Sequence, residues 1–523
     1  MKSPITRSSG LAIATVAAFA VALIPVGAAT AAPAAKCDNR TNNTISKLLE
    51  CVDADGAMEH LEALQTIADE NDDTRAAGTS GYEASVEYVV DTLEAAGWNV
   101  SIDEFDFTYV GPSTLQQLTP VNASYPTGPF TGSGPGDVTA AVTPVDVQLT
   151  TPNANTSGCE AADFAGFPAG NIALIQRGTC TFGVKALNAE AAGAAGVIIF
   201  NAGDDTTAAR NDLIVGTLGG SDIVGIPVVG ASFQQGIALA QTGSTAHITV
   251  PLPEQRPQKN VIAELPGTND DNVVMAGAHL DSVQAGPGIN DNGSGSASLL
   301  ELAQQMSKVK PENTVRLAWW GAEEAGLLGS QAYVDGLSQA EKDRIALYQN
   351  FDMVASPNYI FMIYDGDEST FPAPVVVPEG SVQIEDLFES YFTSVGEPYD
   401  DAEFSGRSDY EAFILEGIPS GGLFTGAEVP KTVEQQAIWG GIAGESYDQC
   451  YHQACDTIDN VNVEALDVNI DAIALAVLAY SYSTESVNGV VGKNIPGGLT
   501  LPAPAGEEGT TGSGGGHSHG DVE

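Results

Sequence analysis

Basic residues are scarce in this chain of 523 residues, and their scarcity excludes several classes of protein. The chain carries 19 lysines and arginines against 68 aspartates and glutamates, a net charge of -49. An acidic surface of this kind repels nucleic acid and anionic membranes, so we expect no partner of either class. The charge suits an exported, soluble protein. Adaptation to salty surroundings would give the same composition.

Long apolar runs are also missing beyond the N-terminus, where none approaches the roughly 18 residues that a membrane-spanning helix needs. The N-terminal segment joins Lys2 and Arg7 to an apolar stretch over 11–32 that ends in small residues. This is the pattern of a secretory signal peptide. We predict a signal over 1–35 and a secreted, soluble monomer; the alternative for this segment is a membrane anchor.

Only six cysteines occur, and no CxxC motif is among them, which argues against a cysteine-rich metal site. An exported chain is expected to form disulfides. Six cysteines can pair in many ways, so proximity along the chain is the only basis for the pairing that we predict. The predicted disulfides are Cys37–Cys51, Cys159–Cys180 and Cys450–Cys455.

The apolar pattern divides the chain into one α/β domain interrupted by another. At the start of the first domain, apolar residues recur at helical spacing and then alternate with polar ones as in a strand. The Pro/Gly-rich stretch YPTGPFTGSGPGD opens a series of short strand-like segments, and PEQRPQ is interpreted as the linker that follows them. From Asn260 apolar strands alternate with helices, which is typical of a sheet covered on both faces.

These patterns predict an α/β fold with a doubly wound mixed sheet and a smaller inserted α/β domain. No internal repeat of 20 to 50 residues is visible, so we do not expect a repeat architecture. The Gly/Pro-rich C-terminal tail is predicted to be disordered. The predicted segments are 36–125 and 254–485 for the main domain, 126–253 for the insertion and 486–523 for the tail.

Three strands of the predicted main domain end on residue types that bind metals. In open α/β sheets, sites form beyond the carboxyl ends of the strands, so we expect these side chains at one rim. Asp291 lies on a loop before a helix at that edge, and His452 lies within the short loop between two cysteines. The residues at or just after the strand ends are His279, the pair Glu323 and Glu324, and Asp352.

Five of these side chains supply two metal ions if one of them is shared. Two imidazoles and three carboxylates are one ligand short of two three-ligand sites. A carboxylate has two oxygens and can bridge. If Asp291 bridges, each ion has three protein ligands and an open position, as in catalytic zinc. The predicted ligands are His279, Asp291, Glu324, Asp352 and His452.

The neighbours of these ligands are candidates for supporting roles. Glu323 points away from its neighbour on a turn, in the position of a general base. Asp281 follows His279 by two residues and either fixes the tautomer of that imidazole or caps the loop. His60 and His247 have no acidic motif around them and are interpreted as structural.

Taken together, these motifs resemble the M28 family of zinc peptidases, in particular the secreted bacterial leucine-aminopeptidase-like enzymes. The similarity rests on GAHLDSV, GPGINDNGSG, GAEEAGLLGS, FDMV and YHQACDTIDN. The segment 406–428 is similar to the substrate pocket of that family. The inserted domain resembles a protease-associated (PA) domain. The resemblance covers about 55–485.

The resemblance implies a site with two Zn²⁺ ions on the five ligands above and Glu323 as the base. It also implies that Tyr451 helps to stabilise the tetrahedral intermediate and that Arg407 lies in the pocket. Without the resemblance, Tyr451 packs beside a disulfide and Arg407 forms a surface ion pair.

The function implied by the resemblance is hydrolysis of N-terminal residues, large and apolar ones, from peptides with a free N-terminus. Two alternatives remain open. One is a single-zinc acyltransferase of the glutaminyl cyclase type, and the other is a non-catalytic peptide-binding protein. A complete set of ligands argues against both.

Overall fold

The computed structural model describes residues 37, 39–150, 155–203, 208–220 and 223–511. The predicted signal over 1–35 and residues 512–523 lie outside this part of the chain. Within it, none of the helices combines the length and the apolar character needed to cross a bilayer.

Strands and helices alternate along most of the described chain. The strands are β1 (Asn99–Tyr109), β2 (Thr114–Thr119), β3 (Ala123–Tyr125), β4 (Gly136–Pro144), β5 (Ile172–Gln176), β6 (Gly196–Phe200), β7 (Val228–Ala231), β8 (Thr245–Val250), β9 (Glu254–Leu265), β10 (Asn269–His279), β11 (Asn313–Trp320), β12 (Ile345–Phe351), β13 (Met362–Tyr364), β14 (Asp400–Ala402) and β15 (Ser420–Phe424). The helices are α1 (Ile45–Leu48), α2 (Ala54–Asp69), α3 (Ser80–Ala96), α4 (Phe182–Ala191), α5 (Ala208–Asn211), α6 (Phe233–Leu239), α7 (Ser294–Met306), α8 (Leu328–Gly336), α9 (Gln339–Lys342), α10 (Ser381–Val395), α11 (Tyr410–Leu415), α12 (Val433–Trp439), α13 (Val463–Tyr482) and α14 (Glu485–Asn488).

The main domain is built on an eight-stranded mixed sheet in the order β1-β9-β11-β10-β12-β15-β13-β14. Strand β10 lies between β11 and β12 and is parallel to both. Every residue of β12 is buried, as expected for a parallel strand covered by helices. Because the three strands run in the same direction, their carboxyl ends meet at one rim. The predicted α/β fold with a mixed sheet is confirmed.

A two-stranded ribbon carries the inserted domain. Strand β1 pairs antiparallel with β9 along its whole length, so that Tyr109 lies opposite Glu254. The chain therefore leaves the main domain and returns to it at adjacent points. The residues between form a seven-stranded sheet in the order β3-β2-β8-β4-β5-β6-β7. Its apolar residues form two clusters of their own, separate from the core of the main domain.

The inserted domain begins earlier than the predicted residue 126. Strand β2 pairs antiparallel with β8, and β3 pairs with β2, so both belong to the inserted sheet. The Pro/Gly-rich stretch after β3 is not a linker, since Pro129 forms a β-bridge to Val229. PEQRPQ is not a linker either but the start of β9. There β9 pairs with β1 alone, and such an edge tolerates proline.

The tail also differs from the prediction, because 486–511 packs on the main domain. Ile495, Leu499 and Leu501 contact its apolar core. Further along, the Asp400 carboxylate accepts hydrogen bonds from the backbone N–H groups of Gly509 and Thr510, at 2.7 and 2.9 Å. The composition of the tail does not reveal that another part of the chain offers it an apolar surface and a carboxylate.

All six cysteines form disulfides in the structure. Each cysteine is joined to its neighbour along the chain, with 14, 21 and 5 residues of separation. Two of the three disulfides lie in the main domain and one lies in the inserted domain. The pairs are Cys37–Cys51, Cys159–Cys180 and Cys450–Cys455.

Candidate active site

The ends of β10, β11 and β12 bring their metal-type residues to one rim of the sheet. His279 is the last residue of β10, and Asp352 comes directly after β12. Two residues beside the candidate ligands have left-handed backbone conformations, Ala322 with φ 56° and Met353 with φ 54°. Backbone of this kind is costly for non-glycine residues and concentrates at functional sites. It turns the chain sharply as each strand ends.

Asp291 lies between the two histidines and turns one carboxylate oxygen to each. Its Oδ1 is 3.2 Å from His279 Nε2, and its Oδ2 is 3.3 Å from His452 Nε2. The two imidazoles come from parts of the chain more than 170 residues apart. A carboxylate in this position contacts both halves of the cluster.

The remaining carboxylates divide between the two histidines. Asp352 Oδ1 is 3.3 Å from His279 Nε2, and Glu324 Oε2 is 3.0 Å from His452 Nε2. Glu323 Oε2 is farther, 3.9 Å from His279 Nε2. Potential ligand atoms lie within 4.8 Å of one another in two groups: His279, Glu323 and Asp352, and Asp291, Glu324 and His452.

Several atoms of this cluster are arranged as ligands and not as hydrogen-bonding partners. Asp291 Oδ2 and both carboxylate oxygens of Glu324 are buried and accept no hydrogen bond from any described residue. His279 Nδ1 lies 3.0 Å from the backbone oxygen of Asp281, so Nδ1 carries the hydrogen and the Nε2 lone pair faces the carboxylates. An unprotonated Nε2 and carboxylates repel one another, so either a proton or a metal cation has to lie between them. The nitrogen and oxygen donors suit zinc.

The carboxylates set the charge state of the histidines when no ion is bound. Burial lowers the pKa of His279, but the charges of Asp352 and Glu323 and the side-chain interaction with Asp291 outweigh it and raise that pKa well above its usual value. Glu324 and Asp291 overcome burial in the same way and raise the pKa of His452 to about 11. Protons therefore compete with a metal for both imidazoles.

Asp281 supports the site through both its backbone and its side chain. Its backbone oxygen contacts the His279 imidazole, while its carboxylate accepts the N–H groups of Glu323 and Glu324 at 3.1 and 3.3 Å. The sequence offered either a contact with the imidazole or a cap. In the structure the backbone oxygen makes the imidazole contact, and the carboxylate instead holds the turn that carries the two glutamates.

Two positioning residues were missed at the sequence level. Arg75 is completely buried and donates hydrogen bonds to the backbone oxygens of Leu280, Pro287 and Gly288. Asp456 accepts the backbone N–H of Asp291 at 3.0 Å. Neither residue lies in a motif with chemical meaning by itself. Burial, the property that distinguishes Arg75, is not visible in the sequence, so no sequence signal identifies either residue.

The predicted pocket residues lie beside this cluster. Ser408 donates a hydrogen bond to Asp352 Oδ2 at 2.5 Å. Arg407 is partly buried and forms an ion pair with Glu428 at 3.2 Å. The ring of Tyr451 stacks on that of His452, with 3.8 Å between the ring centroids.

The two histidines interpreted as structural lie apart from the cluster. His60 Nδ1 lies 2.6 Å from the hydroxyl oxygen of Tyr88. His247 belongs to the inserted domain and contacts Asp137 at 2.8 Å.

Comparisons with known proteins match each of the two domains to a protein family. Residues 260–477 match the family model described as peptidase family M28, and residues 138–239 match that of the PA domain. An aminopeptidase of Pseudomonas aeruginosa is 50% identical over 84% of this chain and 83% of its own length. Leucine aminopeptidase 2 of Trichophyton tonsurans is 40% identical over 82% and 84% of the two chains.

A solved structure that resembles this chain is also an aminopeptidase. A zinc aminopeptidase from Bacillus subtilis aligns with a TM-score of 0.61 at 26% identity, over 85% of this chain and 99% of its own. With half of the aligned residues identical to those of one aminopeptidase over most of both lengths, this chain belongs to peptidase family M28 and is a metallo-aminopeptidase with an inserted PA domain.

Proposed function

We propose that the protein is a secreted aminopeptidase that works with two zinc ions. The placement of Asp291 carries this proposal, since one carboxylate oxygen faces His279 and the other faces His452. A bridging carboxylate is what five ligands need in order to hold two ions. Zinc as the metal is supported by the Bacillus subtilis relative, which is a zinc aminopeptidase.

The proposed ligands fall into two sets that share Asp291. His279 and Asp352 complete the first set, and Glu324 and His452 complete the second. When bound there, zinc supplies polarisation of the peptide carbonyl and a water of lowered pKa. The residues of the chain then have to position the peptide and move one proton.

Glu323 is assigned to move that proton. It is buried, and its carboxylate lies farther from His279 than the ligand carboxylates do. Its backbone N–H is fixed by Asp281, so the side chain is held at the rim. The Glu323 carboxylate takes a proton from the attacking water and delivers it to the nitrogen of the leaving amine.

Tyr451 is assigned to hydrogen-bond the oxyanion that forms. Burial, together with the charges of Asp291 and Glu324, raises the pKa of Tyr451 well above its usual value. The phenol therefore stays protonated and able to donate. Stacking on His452 fixes its ring at the site. Arg407, held by Glu428, is assigned to the substrate side of the pocket.

The proposed substrates are peptides with a free N-terminus and a large apolar first residue. The Trichophyton relative is a leucine aminopeptidase, which supports the apolar preference. A metal ion held by the cluster would bind the neutral α-amino nitrogen of the first residue, a ligand that a blocked peptide lacks. The three disulfides support an extracellular location.

A panel of substrates, combined with metal analysis, tests this proposal. The protein should contain two zinc ions per chain and should release leucine faster than small or charged residues. Activity should disappear with a chelator and return with Zn²⁺, and N-blocked peptides should resist cleavage. A single zinc per chain would favour the cyclase-type alternative, and hydrolysis of blocked peptides would contradict the aminopeptidase assignment.

A further inference from the structure

A cavity of about 420 Å³ lies in the inserted domain, whereas the proposed zinc ligands lie in the main domain. We call it the arginine cavity; its walls are residues 177–182, Arg210 and residues 217–219. Thr179 and Thr181 are exposed, so the cavity is open to solvent. No aspartate or glutamate lies among the described residues of its walls, in a chain with 68 acidic and 19 basic residues. The cavity therefore offers positive charge on a protein that is otherwise strongly acidic.

The basic residues of the inserted domain are concentrated at this cavity. Residues 114–250 contain nine aspartates and glutamates but only three lysines and arginines. Arg177 and Arg210 line the cavity, and Lys185 lies one turn into α4, the helix that begins at its edge. Lys185 is buried, and its Nζ donates a hydrogen bond to the backbone oxygen of Ser157. The two guanidinium groups are therefore the cations that a ligand in the cavity would meet.

Helix α4 adds partial positive charge at the same edge. It has ten residues, and its first residue, Phe182, lines the cavity. The side chain of the N-cap residue, Thr181, makes no hydrogen bond to the first turn, and that turn contains no acid. The N-terminal end of a helix stabilises a nearby anion through its N–H groups and its dipole. This contribution adds to the charge of the two arginines, which are the principal cations.

The walls of the cavity are held in place by contacts within the inserted domain. Arg177 directly follows β5, a strand whose five residues are all buried. The Cys159–Cys180 disulfide fastens the middle of the same wall. In the other wall, the backbone N–H of Leu218 donates to the backbone oxygen of Thr131 at 2.8 Å. A site that is organised in advance loses less conformational entropy when a ligand binds.

Exposed apolar side chains occur in both segments of chain that supply the walls. Val184 and Leu187 lie on α4, and Leu213 and Val215 precede the wall at 217–219; each is 39–47% exposed. A single exposed apolar side chain is ordinary, but several beside one charged cavity indicate a surface for a partner with apolar groups. A small inorganic anion has none. A carboxylate that is attached to apolar side chains fits both the charge and the surroundings.

We propose that the arginine cavity binds the terminal carboxylate of a peptide, with Arg177 and Arg210 as its cationic partners. A guanidinium presents its N–H groups in a planar fork that matches a carboxylate. The inference rests on the proposed function, because a peptide that offers a free N-terminus carries a carboxylate at its other end. The acidic surface elsewhere repels that carboxylate. The inserted domain then retains peptides by their C-terminal ends.

Calorimetric titration of the full-length protein with an N-acetylated apolar pentapeptide tests the proposal. Acetylation blocks the proposed hydrolysis, so binding is measured apart from catalysis. We expect the free-acid peptide to bind about 10- to 100-fold more tightly than its C-terminal amide, the range expected for hydrogen bonds to a charged group. Equal affinities, or no binding of the free acid, would overturn the proposal. The proposed function fails separately, if unblocked peptides are not hydrolysed.

A third peptide separates the two sources of a carboxylate. It is amidated at its C-terminus and carries a glutamate as its last residue. It should bind as weakly as the plain amide. An affinity equal to that of the free acid would overturn the assignment to a chain end.

Three variants locate the binding. Arg177→Gln and Arg210→Gln should each bind the free-acid peptide at least tenfold more weakly than the wild type. Arg210 lies on the short helix α5 and decides the question if Arg177→Gln fails to fold. Lys310→Gln, an equal change of charge at an exposed position of the main domain, should bind as the wild type does. Wild-type affinity in either arginine variant would exclude the arginine cavity.

Discussion

At the scale of single residues, two adjacent glutamates are assigned to different tasks. Both follow β11, and both backbone N–H groups bond to Asp281. Glu324 lies 3.0 Å from His452, in ligand position, whereas Glu323 lies 3.9 Å from His279. This difference separates the effects of two otherwise similar substitutions.

We predict that Glu323→Gln keeps both zinc ions and loses about 10²- to 10⁴-fold in kcat, the contribution typical of a general base. Glu324→Gln, its matched control, should lose metal as well as activity, because an amide is a weaker ligand than a carboxylate. Steady-state kinetics combined with zinc analysis distinguishes the two. Near wild-type turnover in Glu323→Gln would show that another group moves the proton.

The sequence predicts residues whose chemistry can be read from their type and place. His279, Glu324 and Asp352 stood out because they lie at or just after strand ends, and Asp291 and His452 because they lie in short loops predicted near the same rim. Arg75 and Asp456 did not stand out, since their role comes from what they touch after folding. Asp281 was recognised, but its division between a backbone contact and a carboxylate cap depends on atomic geometry.

At the scale of structural elements, short connections hold the ligands in place. His452 lies in the loop closed by Cys450 and Cys455, with a left-handed backbone at φ 56°. The loop after β10 is held by the buried Arg75. Both connections can be weakened without touching a ligand.

Removal of the small disulfide should weaken the metal site. We predict that the double change Cys450→Ser and Cys455→Ser lowers zinc affinity about 10- to 100-fold, the usual effect of losing support around a ligand. The matched control removes Cys159–Cys180 in the inserted domain, which should leave zinc affinity unchanged. Competition with a chromogenic chelator measures both. Equal affinities in the two variants would mean that the loop holds His452 without its disulfide.

Replacement of the buried arginine should destabilise the main domain. Arg75→Met leaves three backbone oxygens without their donor, at a cost of about 1–3 kcal/mol for each. We therefore expect a loss of at least about 3 kcal/mol in the free energy of unfolding, measured by denaturant titration. Lys493→Met, which removes an exposed cation paired with Glu312, should cost less than about 1 kcal/mol. Similar losses in both variants would contradict the role of Arg75.

At the scale of the whole molecule, the PA domain is an insertion on a two-stranded stem. Its apolar clusters are separate from that of the main domain. Tyr109 and Glu254 face each other in the ribbon, so a tight turn can join them. The architecture separates the unit that carries the candidate site from an inserted unit with apolar cores of its own.

We predict that replacing 110–253 by a two-residue turn leaves a folded aminopeptidase. Hydrolysis of a small aminoacyl substrate should stay within about tenfold of the wild type, because each proposed ligand comes from the main domain. The ratio of kcat/KM for long and short peptides should change. Loss of zinc binding in the shortened protein would show that the inserted domain supports the site directly.

The fold class was predictable from sequence, but the limits of the domains were not. Strands alternating with helices indicate an α/β domain. The change to short strand-like segments after a Pro/Gly-rich stretch indicates an insertion. The start of the inserted sheet at β2 and the packing of 486–511 depend on pairing between distant segments. Composition favours turns and disorder for these Pro/Gly-rich stretches because it contains nothing about their partners.

The most direct test of the account is anomalous diffraction at the zinc absorption edge from crystals of the zinc-loaded protein. We expect two peaks about 3.5–4 Å apart, each beside a different carboxylate oxygen of Asp291. One peak, or two peaks of which only one contacts Asp291, would contradict the shared carboxylate on which the proposed function depends.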